Sequence, residues 1–344
     1  MFPAWELLRI RLCDLVVGAK HSRDALPDQR TRLRPMPLTR RTLLIGAGLA
    51  LAGCAPSPVI SGAPALPVSP PAPTQAPEAA AAQLALTLLD ATLAGLEGAA
   101  FWTAQPWLGA ARAQCEAHLA RVGAPDPLSS DEQPLFGSAT PEVAVPADAA
   151  AATAALEAAR TGAVTALEAG AQAAGDGALR LLYASAATGV TALADTTLPP
   201  LALDAAPRRL QESTLAAAQG VALGHAWALI YGLGVGVGRL AGDDPLVALA
   251  MPRLAAVKHL RNELREALGA SAPSQPAAFE LPTAMDTPEA IRQGWAALET
   301  RLLEGYAHCV AADPAPRWRQ LMAAQVAPVQ AVGGQLGHWP GWVA

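Results

Sequence analysis

Cys115-Glu116-Ala117-His118 sets a thiol and an imidazole one helical turn apart, and His308-Cys309 with Glu304 offers a similar set further along the chain. Thiolate and imidazole are ligands for Zn²⁺ and Cu, so Cys115, His118, His308 and Cys309 could hold a metal ion if their helices met. The simpler reading of the same residues is two small core cysteines and two hydrogen-bonded or partly exposed histidines. A second group, His225, His259, Glu263, Glu299 and Glu304, could meet as a polar cluster. His225 lies in an apolar run, and a buried polar group without a partner costs about 1 to 3 kcal/mol. A pair such as His225 with Glu263 or Glu299 is therefore expected, either as a contact that specifies the fold or as a small ligand site. No residue is assigned a catalytic role.

The segments that must position these residues read as helices. Hydrophobic residues make up 52% of the chain, yet aromatics supply only 4%, so the core must be built from small side chains set close together. That favours helix on helix over sheets, which want β-branched and aromatic residues. Leu86, Leu89, Leu93, Leu96 and Ala100 step by three and four, as a helix with one buried face requires. Further helices are expected over Trp107 to Val122, 147 to 174 and 177 to 195. After the loop TTLPPLALDAAP, the spacing predicts a long helix from Arg208 to Leu240. A second opens at Asp244-Pro245, a third at Thr287-Pro288, and one last helix carries Trp318, Leu321, Met322, Val329, Val332 and Leu336. Asp or Thr before a proline is a helix start, because the side chain caps the first turn and proline needs no N–H there. Pro252 is expected to kink the helix it sits in.

Both halves, 78–200 and 207–342, thus run helix, helix, long proline-rich loop, helix, helix. A four-helix bundle with one crossover connection needs that long central crossing, and this is the ferritin-like arrangement. The expected fold is all-α, with two such bundles in tandem. The glycines of YGLGVGVG (231–238) alternate and follow no strand, which is not a nucleotide-binding loop. Gly232 and Gly236 instead predict a smooth face for close helix approach. Val221 to Gly238 lacks Asp, Glu, Lys and Arg and is long enough to be weighed as a membrane span, but its glycines, alanines and His225 fit a central bundle helix better. Trp102, Trp107, Trp339 and Trp342 fall near helix ends, where they either plug the bundles or mark a contact patch.

The front of the chain carries an export signal. From Met36 it supplies Arg40 and Arg41, the apolar run Leu43 to Leu51, then Ala52, Gly53 and Cys54. Leu51-Ala52-Gly53-Cys54 resembles the lipobox of bacterial lipoproteins, which implies lipidation of Cys54 and residues 36–53 as signal peptide. The stretch 1–35 ahead of it is expected to be untranslated or disordered. Two or three acyl chains, at about 0.8 kcal/mol per buried CH₂, would hold the protein on the outer face of the cell membrane. Residues 54–77, rich in Pro and Ala, read as an extended tether. Thr39-Arg40-Arg41-Thr42-Leu43-Leu44 also resembles a twin-arginine signal, and the export route stays open. In that compartment Cys115 and Cys309 could pair or stay as free thiols.

Residues 208–342 resemble the uncharacterised ferritin-like domain of lipoproteins from high-GC Gram-positive bacteria. The matching pieces are Gly224-His225-Ala226 with Tyr231-Gly232, His259-Leu-Arg-Asn-Glu263, Phe279-Glu-Leu-Pro282, Glu299 and Trp339-Pro340-Gly341. A di-iron centre of this fold takes Glu-x-x-His on two helices. Here Cys115, Ala222, Ala256, Gly305 and Gln335 stand three residues before His118, His225, His259, His308 and His338, so the motif is missing. The resemblance favours a glutamate before His225, where this chain has Gly224.

The sequence therefore points to a lipid-anchored envelope module that binds or supports a partner and carries no cofactor. The alternative is an exported metalloprotein with an atypical Zn, Cu or Fe site. A net charge of −5 without a basic cluster argues against nucleic acid as a partner.

Overall fold

A computed structural model describes residues 73–203 and 205–343, all within the unit Pro71–Ala344. Cys54, the signal at 36–53, the stretch 1–35 and most of the tether lie outside the described residues. The described part is all-α, with no β-strand among the described residues. Its helices are α1 (Pro77–Glu97), α2 (Gln105–Val122), α3 (Ala149–Ala173), α4 (Gly177–Ala192), α5 (Leu215–Val237), α6 (Pro245–Leu268), α7 (Pro288–Ala312), α8 (Pro316–Ala324) and α9 (Val326–Ala331).

Local chemistry explains where they begin. Asp148, Asp176, Thr214, Asp244 and Thr287 each accept a backbone N–H of the first turn through their side chains. Thr214 is the reason α5 opens at Leu215 and not at Arg208, as the apolar pattern suggested. Arg208 is drawn away instead, its Nη1 donating to Val343 O at 2.8 Å.

The expected last helix is broken. Pro328 has no N–H and its ring conflicts with the carbonyl four residues earlier, and the chain splits at Gln325 into α8 and α9. Beyond α9, Gly333 takes φ +76°, which glycine tolerates without a Cβ penalty. Leu336 then runs beside Leu201, with Leu201 N donating to Leu336 O and His338 N donating to Leu201 O.

Helices α1 to α4 pack on one another, as do α5 to α9, and α4 lies against α7, α8 and α9. One continuous apolar core runs through both groups. Polar side chains staple them. Arg180 on α4 donates to Val310 O (2.7 Å) and Ala311 O (2.8 Å), satisfying carbonyls at the C-terminal end of α7 where a cation is favoured. Ser185 donates to Pro340 O, Gln330 to Ala192 O and Gln335 to Pro199 O. Arg319 on α8 reaches Glu168 and Gln172 on α3.

Among the described residues two helices, α1 and α5, are long and apolar enough to cross a membrane. In this fold α5 buries one face against α7. A Cβ on Gly236 would lie 2.5 Å from the Trp295 ring, and Trp295 Nε1 donates to Gly232 O at 3.0 Å. The smooth face expected of Gly232 and Gly236 is what brings α7 this close.

Candidate functional site

The two Cys/His pairs stay apart. Cys115 and His118 lie on α2, and His308 and Cys309 on α7; among the described residues no group of three or more His, Cys, Asp or Glu gathers around a common point. Both cysteines are buried and free. Burial raises both thiols, Cys309 to about 12, so each remains a protonated, poorly nucleophilic core group.

His118 has a structural setting. It is fully buried, its ring packs tilted against that of Trp339 with centroids 4.6 Å apart, and its Nε2 lies 2.7 Å from His338 O. A carbonyl only accepts, so Nε2 carries the proton and donates. Burial drives the imidazole down to about 4, against the smaller opposing pull of that hydrogen bond. Trp107, Trp339 and Trp342 are all buried, which places them as plugs of the packing and not as a surface patch.

The second group does not assemble as a cluster either. His259 is exposed on α6 and pairs with Glu263 one turn on, at 3.2 Å; Glu263 also takes Arg317 at 2.7 Å. Such surface pairs contribute about 0 to 1 kcal/mol. His225 faces Gly305 across the α5–α7 contact, where burial, then Arg301 and His308, lower its pKa. Glu304 shares the Arg301 neighbourhood, and burial raises its pKa despite that cation. His225 therefore pairs with neither Glu263 nor Glu299.

Glu299 has found a different partner. Its side chain is 2% exposed, and the guanidinium of Arg253 on α6 holds it with two parallel bonds: Nε to Oε1 at 2.8 Å and Nη2 to Oε2 at 2.7 Å. Gln325, at the break between α8 and α9, completes the set. Its Nε2 donates to Glu299 Oε2 (2.6 Å) and Glu299 O (3.0 Å), and its Oε1 accepts from Arg253 Nη2 at 2.7 Å. Planar bidentate pairs of this kind are strong and directional, and the glutamine satisfies what the pair leaves over.

Arg253 and Glu299 of this network line an open cleft of about 400 Å³ between α6, α7 and α9, with Leu233 of α5 at its side. Leu233, Leu249, Pro252, Trp295, Pro328 and Val332 form apolar walls. Pro252 of α6 and Pro328 of α9 line it. Pro328 shapes the wall by ending α8, and Pro252 leaves α6 one backbone bond short beside the opening. Leu249 is 45% exposed at the rim.

Arg253 and Gln325 are the residues sequence reasoning missed. The signal for Arg253 was present: Leu246, Ala250, Arg253, Val257, Leu260 and Leu264 step by four and three, so a cation occupies a position on the buried stripe. Gln325 carried no signal, because its role depends on the helix breaking there.

Comparison with protein-family models, with curated proteins and with solved structures finds no match to this chain.

Proposed function

We propose that this chain is a lipid-anchored, extracytoplasmic binding module on the outer face of the cell membrane, built from two tandem ferritin-like bundles and working without a standard di-iron site. One observation carries the reading: Glu299, the interior carboxylate of the second bundle, is locked by Arg253 and Gln325. Ferritin-like di-iron proteins keep such inward carboxylates, with histidines, for metal. Here both oxygens of the acid are engaged by donors, and the histidines of the same bundle sit elsewhere. The all-α packing and the resemblance of 208–342 to the lipoprotein ferritin-like domain support the bundle assignment. The lipobox at Leu51 to Cys54 supports the anchor. An apolar, partly open cleft beside a polar network suits binding of an envelope component.

The test has two arms on the full chain after export in a bacterial host. Cys54→Ala is expected to move the protein out of the acylated membrane fraction; retention there refutes the anchor and returns α5 to consideration as a span. Elemental analysis of protein purified without chelator is expected to show metal well below stoichiometry. Near-stoichiometric Zn, Cu or Fe would establish the exported metalloprotein instead.

A further inference from the structure

We infer that the cleft between α6, α7 and α9 binds one small neutral amphiphile, a hydrocarbon body with a single uncharged acceptor oxygen that docks on Arg253. The inference rests on the binding-module reading and names the ligand class of that cleft. Three observations converge on it.

The volume, about 400 Å³, falls within the roughly 300 to 1,000 Å³ of small-molecule sites. It accommodates a single chain and not the paired acyl chains of a bilayer phospholipid. The ligand is therefore taken as a free monomer.

The walls are hydrocarbon, and Leu249 at the rim remains 45% exposed. Covering such surface is favourable at about 25 cal/mol per Å², so an apolar body is what the walls select.

The head group is chosen by the polar lining. Arg253 lines the cleft and is 22% exposed. Its Nε and Nη2 are committed to Glu299 and Gln325, while among the described residues its Nη1 has no protein partner. Two N–H donors are thus available to an occupant. The positive charge is already cancelled by Glu299, so a carboxylate or an ammonium head would give up its hydration beside a pair with no net charge to repay it. A hydroxyl or carbonyl oxygen accepts from Nη1 without that penalty.

The experiment uses the full chain produced in the cytosol, where Cys54 is not acylated, and purified without detergent. Calorimetric titration compares 1-decanol, decanoate and decyltrimethylammonium, which share a chain and differ only in head group. Saturable one-to-one binding of decanol is expected, with the two ions at least about tenfold weaker. Ala256→Trp, a bulky side chain at an exposed lining position, should reduce decanol affinity at least about tenfold while leaving the thermal melt in place. Arg253→Met alone strands a buried carboxylate, so the head-group test is Arg253→Met with Glu299→Met together. This pair keeps the volume and should weaken decanol about tenfold, the loss of one hydrogen bond.

No saturable decanol binding, equal affinity for all three probes, or undiminished binding in Ala256→Trp each overturns the assignment. So does sedimentation of the detergent-free chain with phosphatidylcholine vesicles in place of monomer binding. None of these readouts depends on acylation, and Cys54→Ala fractionation does not depend on the cleft, so the anchor and the ligand fail separately.

Discussion

His118 makes stability depend on pH in a way that can be calculated before it is measured. The imidazole is buried between α2 and the closing segment, packed at a tilt against Trp339 and bonded to His338 O, and burial takes it from 6.5 to about 4. In the unfolded chain it takes up a proton near 6.5. Between those values the unfolded state binds more protons, so stability falls as pH falls. The contribution is whole above about pH 6.5 and is lost as pH drops through about 4. At 1.36 kcal/mol per pKa unit the total is roughly 3 kcal/mol. His225 and His338, also lowered by burial, add the same sign, so one profile alone does not isolate His118. His118→Gln does, because a glutamine amide can still donate towards His338 O and never titrates in this range. Urea unfolding of both proteins from about pH 7.5 to about 4.5 should show the wild type losing about 2 to 3 kcal/mol more than the variant. Parallel profiles would refute the placement of His118 as a neutral, dry imidazole. A wild type that gains stability on acidification relative to the variant would reverse its sign.

Other perturbations probe the remaining contacts. Arg253→Met should cost about 3 to 5 kcal/mol by stranding Glu299, and adding Glu299→Met should restore most of it, since an apolar pair of similar volume replaces both charges; thermal melts of the singles and the double close this cycle. Gly236→Ala pushes a Cβ to within 2.5 Å of the Trp295 ring and should destabilise by about 1 to 3 kcal/mol, read by chemical denaturation. Cys115 and Cys309 should resist alkylation in the folded protein near pH 8 and label readily in urea, with peptide mass mapping separating them from the other cysteines; fast native labelling would show that the thiols are not buried as described.

Helix starts were legible because they are written in two or three adjacent residues. Asp244-Pro245 and Thr287-Pro288 fix both the cap and the first turn, and α6 and α7 begin there. The close approach of α5 and α7 was legible too, because glycines four apart can only remove bulk from one face. What escaped was whatever depends on two distant segments meeting. The pattern Trp318 to Leu336 reads as one helix, since its apolar spacing is right for one, and only the conflict at Pro328 with the preceding turn divides it. The candidate site suffered more from this than the fold did. Glu299 was singled out, but a histidine was the expected partner because histidine is conspicuous in an apolar run.

The choice between Arg253 and a histidine as the partner of Glu299 decides what this group of helices can do. A carboxylate beside neutral imidazoles is a ligand set that lacks only its ion, and its geometry has to stay adjustable for an ion to enter. A carboxylate held by a guanidinium on one helix and a glutamine at the break of another is rigid and electrically closed. Removing Arg253 strands the Glu299 charge in the interior, and Gln325 ties the α8–α9 break to the same pair, so the network links α6, α7 and that break. That arrangement sets the walls of the cleft of about 400 Å³. The polar network therefore ties the elements around an apolar cleft and presents one donor group to it, and Arg253→Met with Glu299→Met should separate packing from head-group docking: stability recovered, head-group preference lost.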